Sequence, residues 1–211
     1  EREELGNRGE AFNDELPLEE EVKKAAEDGT QVHEMIEEYL NGEELTFLNS
    51  YGTPQYNPEV WIMFLRFVDF WETYNPKLIE TEVHLFSDEL KVAGTCDLVC
   101  EIDGELWIID FKTSNHLQTV YELQTAVYKQ CYKECYGLEA DHAAVLWLKS
   151  SKRKASKDKM QGKGWEIAES ERTFEENLEI FKTVRKLFDL ENPKSAPVFE
   201  SFRTTAKRED L

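Results

Sequence analysis

Three groups of residues in this sequence are of types that could do hydrolytic chemistry together: Asp97, the pair Asp110-x-Lys112, and Gln124-x-x-x-Tyr128. Two carboxylates are hard oxygen ligands suited to Mg²⁺ or Mn²⁺. Such a cation neutralises a phosphate and makes an attacking water more acidic, which is much of what phosphodiester hydrolysis needs. A lysine beside the carboxylates can orient that water or stabilise negative charge in the transition state. Upstream, His33 could add a nitrogen ligand, a better match to Mn²⁺ than to Mg²⁺. The set is that of a metal-assisted site for cleaving phosphodiesters.

The elements that would position these residues follow from local pattern. Two β-like runs, 90–101 and 105–111, flank the Asp103-Gly104 dipeptide, a strong short-range hairpin signal. The period of two puts Asp110 and Lys112 on one face of the second strand, with Asp97 near the middle of the first. Ser114-Asn115 is a candidate N-cap for a helix over 116–136 that Gly137 closes. Its expected inner stripe is Leu117, Val120, Tyr121, Gln124, Tyr128, Cys131 and Cys135. Gln124 then points inward, where an unpaired amide would be costly, so a polar site is expected beside it.

Upstream, Val22, Ala26, Gly29, His33, Ile36 and Leu40 recur at helical spacing, predicting a helix over 16–40 closed by Asn41-Gly42. His33 sits on its apolar face with Glu37 one turn later. Residues 46–58 read as a loop, and a second helix runs from Pro58 to Tyr74 before Asn75-Pro76 breaks it. Its stripe of Val60, Phe64, Phe67 and Trp71 is a core face; the further aromatics Trp61, Phe70 and Tyr74 could also stack on unpaired bases. Residues 78–87 form a strand with Glu80, Glu82 and His84 on one face and Ile79, Val83 and Leu85 on the other. Strands at 143–149 and 164–168 follow, and Thr173-x-x-Glu176 is a capping box for a helix to about residue 190. That helix turns Phe174, Leu178, Phe181, Arg185 and Phe188 inward. The order of elements implies an α/β fold with a central mixed sheet flanked by helices, in one domain over 1–211 whose first 15 residues are a loose start.

Charge is polarised. The net charge of −19 opposes whole-surface attraction to nucleic acid, yet Lys149, Lys152, Arg153, Lys154, Lys157, Lys159 and Lys163 crowd one segment with Asp158 as its sole acid. This basic loop, 150–163, is a natural phosphate-binding arm. No uninterrupted apolar run approaches a membrane span, and the chain is expected to be cytoplasmic. Cys96, Cys100, Cys131 and Cys135 are expected as reduced, mostly buried thiols. The sequence begins with Glu1 rather than Met, compatible with a start inside a longer gene product.

Gly94-x-x-Asp97, the strand Ile108-Ile109-Asp110-Phe111-Lys112 and Gln124-x-x-x-Tyr128 resemble three motifs of the PD-(D/E)XK nuclease superfamily, in order. Gly29-Thr30-x-x-His33 resembles the histidine motif of its RecB-type exonucleases, the branch with the Cas4-like and AddB nuclease domains. The resemblance implies a restriction-endonuclease-like core. It also implies that His33, Asp97, Asp110 and the backbone carbonyl of Phe111 are ligands to one or two Mg²⁺ or Mn²⁺ ions. Lys112 would be the catalytic lysine and Glu82 the acid of the first motif. Gln124 and Tyr128 would help place the lysine and the DNA, with Lys152, Arg153, Lys154 and Lys157 binding DNA through phosphates. Relatives of the Cas4 and AddB type often carry an iron–sulfur cluster on cysteines that follow the core. No cysteine follows Cys135 here, which argues against one.

The activity so implied is a metal-dependent DNA exonuclease acting on single-stranded or duplex ends in recombination or repair, of the compact kind found in phages and mobile elements. A separate recombinase, annealing protein or helicase subunit is the class of partner that fits. The alternatives are an endonuclease or junction resolvase on the same fold, and a DNA-binding nuclease-like module without catalysis.

Overall fold

A computed structural model describes residues 18–149 and 164–193. The elements run α1 (Leu18–Leu40), α2 (Pro58–Tyr74), β1 (Lys77–Ser87), β2 (Val92–Ile102), β3 (Glu105–Lys112), α3 (Val120–Tyr136), β4 (His142–Trp147), β5 (Glu166–Glu169) and α4 (Phe174–Glu191). The five strands form one sheet in sequential order. Only β3 and β4 are parallel; the other three neighbouring pairs are antiparallel. This is the mixed-sheet α/β fold expected from the sequence. Among the described residues no helix is long and apolar enough to cross a membrane.

Strand alternation divides the core in two. Leu98, Ile109 and Phe111 pack with Val32, Met35 and Ile36 of α1 and with Val60, Phe64, Phe67 and Phe70 of α2. Val99 and Ile108 point the other way, into a layer with Val127, Tyr128, Cys131 and Tyr132 of α3, against which Leu178 and Phe181 of α4 pack. Asp110 and Lys112 share the parity of Ile108, so they lie beneath α3. Asp103 and Gly104 both take positive φ (53° and 88°), as the tight β2–β3 turn requires. The aromatics of α2 are spent on one another: Trp61 stacks on Tyr56 and packs on Phe64, and Phe70 and Tyr74 close over Trp165. That is core packing rather than a platform for bases.

Four sequence expectations need correction. The third helix begins at Val120, not residue 116, because Ser114 does not cap it; its hydroxyl donates to the His116 carbonyl and shapes a loop instead. Leu117 and Val120 are consequently exposed rather than part of an inner stripe. In α1 the buried stripe is Val32, Met35 and Ile36, while Val22 lies on a projecting first half and is exposed. In β1 the ladder slips between Leu78 and Glu80, which leaves Ile79 in solvent. The capping box at Thr173 and Glu176 forms as expected, but Phe188 is half exposed. Behind it, Arg172 donates to Glu122 and to buried Asn177, and Ser170 donates to Glu122, so α4 is tied to α3 by a satisfied polar network. The basic loop, with Lys152, Arg153, Lys154 and Lys157, lies outside the described residues.

Candidate active site

The site forms where β2 and β3 part. Their ladder ends at the pair Leu98 and Ile109; one step beyond, Asp97 and Asp110 face each other. The Asp97 carboxylate enters the gap and accepts the Phe111 amide hydrogen at 2.5 Å, which replaces the missing ladder bond. Next to it the Cys96 thiol donates to the Leu98 and Ile109 carbonyls, and burial holds its pKa far above the ordinary thiol range. Such a thiol is structural, not nucleophilic. All four cysteines are free, and Cys135 alone is only partly buried.

Helix α1 brings His33 to the same point from the opposite face. Its ring meets Phe111 edge-on, and its Nδ1 lies 3.4 Å from Asp97 Oδ1. The close approach of α1 depends on Gly29, where a Cβ would sit 2.9 Å from Thr113 Oγ1 just after β3. Glu82 reaches in from β1 with its backbone in the left-handed region at φ 49°, beside the slip in the ladder. Ligand atoms of His33, Glu82 and Asp97 all lie within 4.8 Å of one another. They line a cleft of about 320 Å³ together with Gly29, Thr30, Glu34 and Glu37.

On the α3 side Lys112 Nζ pairs with Asp110 Oδ2 at 2.5 Å and lies 4.9 Å from the centre of the Tyr121 ring. Gln124 donates its amide to the Tyr128 hydroxyl at 3.0 Å, so the inward amide is satisfied by its own motif partner. Tyr128 packs against the β2 backbone; a Cβ at Gly94 would come within 3.1 Å of its ring. The backbone after β3 is locked as well. Leu148 N–H donates to the Lys112 carbonyl at 2.9 Å, and the Trp147 indole donates to the Ser114 carbonyl at 2.7 Å.

The electrostatics are those of a site short of positive charge. Burial, then the charge of Asp97, raises the pKa of Asp110 to about 6 despite the opposing pull of Lys112. Burial and Asp97 likewise raise that of Glu82. Burial works against a charged His33, but its hydrogen bond to Asp97 and the charges of Asp97 and Asp110 outweigh it and raise its pKa. Asp110 Oδ2 is buried, and its partner is the Lys112 ammonium at 2.5 Å. One imidazole and converging carboxylates together fit a divalent cation. The structure thus brings His33, Glu82, Asp97, Asp110, Lys112, Gln124 and Tyr128 into one neighbourhood. Sequence reasoning missed Tyr121 as the neighbour of Lys112, although its place nine residues along was visible. It also could not foresee that Asp97 would bond the Phe111 amide.

A family model described as the PD-(D/E)XK nuclease superfamily matches residues 7–200. No curated protein matches the chain. Among solved structures, a candidate exonuclease from Eubacterium rectale is similar at 14% identity and a TM-score of 0.49, over 95% of this chain and 79% of that one. The protein SSO0001 is similar at 13% identity and a TM-score of 0.30, over 81% of this chain and 88% of that one.

Proposed function

This chain belongs to the PD-(D/E)XK nuclease superfamily, and from that membership we propose that it is a Mg²⁺- or Mn²⁺-dependent DNA exonuclease of the RecB type, folded as one domain. The observation that carries the proposal is the convergence of His33 of α1 on Asp97, with Glu82 alongside and the Asp110-x-Lys112 strand next to it. A helix that delivers histidine to the carboxylates, together with Gln124-x-x-x-Tyr128, is what favours the RecB-type branch over other nucleases of the fold.

In this reading His33, Asp97, Asp110 and the backbone carbonyl of Phe111 hold the cation, and Glu82 adds a further carboxylate. A bound divalent cation supplies Lewis-acid neutralisation of the phosphate and a more acidic water. Lys112 then stabilises negative charge on the scissile phosphate and orients the attacking water. Lys112 would be released for that task where Asp110 serves as a ligand to the cation. The Tyr128 hydroxyl, kept protonated by burial and by the charge of Asp110, and the Gln124 amide position the DNA strand beside the lysine. Lys152, Arg153, Lys154 and Lys157 offset the acidity of the chain by contacting DNA phosphates. The substrate is a single-stranded or duplex end processed in the cytoplasm during recombination or repair, in a phage or mobile-element setting. A recombinase, annealing protein or helicase subunit is the matching partner.

The test is cleavage of linear single- and double-stranded DNA, labelled at either end, with Mn²⁺, Mg²⁺ or EDTA. Expected is metal-dependent loss of linear DNA with a closed circle spared and Lys112→Ala inactive. Cutting of the circle would replace the exonuclease with an endonuclease. DNA binding without cleavage under either metal would leave a non-catalytic module.

A further inference from the structure

We propose that Tyr121 is a positioning residue for Lys112: its ring is a π-floor that holds the ammonium group at the site when Asp110 no longer pairs with it. The inference rests on the proposed function for what Lys112 does, but the contact itself stands on geometry alone.

The main chain of Lys112 is fixed on both sides. It belongs to the parallel β3–β4 ladder, where it stands opposite Trp147. Its carbonyl accepts the Leu148 amide, whose own carbonyl accepts Arg66 Nη1 at 2.8 Å. What remains free is the four-carbon side chain, which is about one-fifth exposed and carries substantial rotamer entropy. Two groups define where its ammonium goes. One is Asp110, 2.5 Å away; the other is the Tyr121 ring, 4.9 Å from centroid to Nζ.

These two anchors differ in kind. Asp110 is also a buried carboxylate of the kind that holds a cation, so its hold on the lysine and its hold on a metal compete for the same group. The ring has no such second claim. A cation over an aromatic face within about 6 Å is attracted by the ring quadrupole, more strongly when partly desolvated. The attraction is diffuse, so it confines Nζ to the site without consuming its three N–H donors. Those donors stay available for a phosphate oxygen or a water. The first turn of α3 is suited to this duty. Tyr121 N–H bonds to the Gln118 carbonyl, and Gln124, one turn later on the same face, reaches Tyr128 rather than Lys112. The described hydrogen bonds therefore leave the ring of Tyr121, not the amide of Gln124, as the α3 contact of the lysine.

The experiment compares Tyr121→Phe, which keeps the ring, with Tyr121→Leu, which removes it. The first readout needs no metal and no substrate: the methylene proton shifts next to Nζ of Lys112, by NMR of protein with ¹³C-labelled lysine, assigned with Lys112→Arg. An upfield ring-current displacement is expected in the wild type and in Tyr121→Phe, and its loss in Tyr121→Leu. The second readout is cleavage of linear DNA. Tyr121→Leu is expected to lower kcat about tenfold with KM within about twofold, and Tyr121→Phe to stay near the wild type. Thermal melts confirm that both variants fold. Absence of the ring-current shift in the wild type, or a Leu variant that cleaves as fast as the Phe variant, would overturn the inference. So would a loss carried by KM instead of kcat. If the wild type cleaves no DNA under any metal, the proposed function fails, and the NMR arm alone decides the contact.

Discussion

A histidine from another element meets two carboxylates near each end of β3, and the two arrangements behave oppositely. At the start of β3, His142 spends one nitrogen on Glu169 at 2.8 Å and the other on Glu105 at 3.0 Å, and stacks flat on Trp107 at 3.9 Å. At the far end, His33, Asp97 and Glu82 crowd around a common point, and His33 comes no nearer than 3.4 Å to its carboxylate. In the first arrangement each nitrogen has its own acceptor on either side, which requires an imidazolium and leaves neither imidazole nitrogen unpaired. In the second the ligand atoms converge on one point, and the charge of Asp97 works against ionisation of Glu82. Composition is shared. What separates a clasp between strands from a candidate cation site is whether the ligand atoms diverge or converge.

The largest effect that would break this contrast lies in activity. Asp110→Ala and Lys112→Ala are each expected to reduce cleavage by about 10³-fold or more, whereas His142→Gln should leave it within about twofold. Circular dichroism checks that each variant is folded. Next is cation binding. In a thermal-shift assay, Mn²⁺ at about 100 times its dissociation constant should stabilise the wild type by roughly 2.7 kcal/mol. The shift should survive in His142→Ala and vanish in an Asp97→Ala, His33→Ala double variant. A shift lost with His142 would mean that the clasp, not the converging cluster, takes the metal.

Smaller effects sharpen the comparison. Gly94→Ala puts a Cβ 3.1 Å from the Tyr128 ring and is expected to cost about 1–2 kcal/mol in urea unfolding, since ring and strand must both shift. The smallest concerns the clasp. Burial disfavours a charged His142, but its bonds to Glu169 and Glu105 prevail and raise its pKa above the ordinary 6.5. The folded state therefore binds this proton more tightly than the unfolded chain does. The stability it contributes is complete below pH 6.5 and is lost as pH rises through the higher folded value. His142→Gln should flatten that part of the stability–pH curve, by less than about 1 kcal/mol for so open a pair.

Much of the architecture was legible because periodicity and turn chemistry act locally. Asp103-Gly104 marked the hairpin, Pro58 and Asn75-Pro76 marked the ends of α2, and Thr173 with Glu176 marked the start of α4. The neighbourhood of Asp97, Asp110 and Lys112 followed from strand alternation. The illegible parts depend on partners distant in sequence. Ser114 has the residue type of a cap, yet the loop it shapes is held by the Trp147 indole, so α3 starts one turn late. Val22 obeys the helical period, but nothing in the period says how far a helix overlaps the sheet. The left-handed backbone of Glu82 carries no local signal at all, since glutamate seldom adopts it. Tyr121 is ordinary by type and spacing; only the fold places it under a lysine.

The irregularity in β1 has a second consequence, for the behaviour of many molecules in one solution. β1 stands at the margin of the sheet and is eleven residues long, the kind of border that invites a strand of another copy to pair with it. The slip between Leu78 and Glu80 and the left-handed turn at Glu82 prevent a flat, continuous run of amide and carbonyl groups there. Exposed Ile79 and Phe86 then lie on either side of the distortion instead of along one straight template. The kink that aims a carboxylate into the cleft therefore also interrupts the edge along which another copy would have to pair.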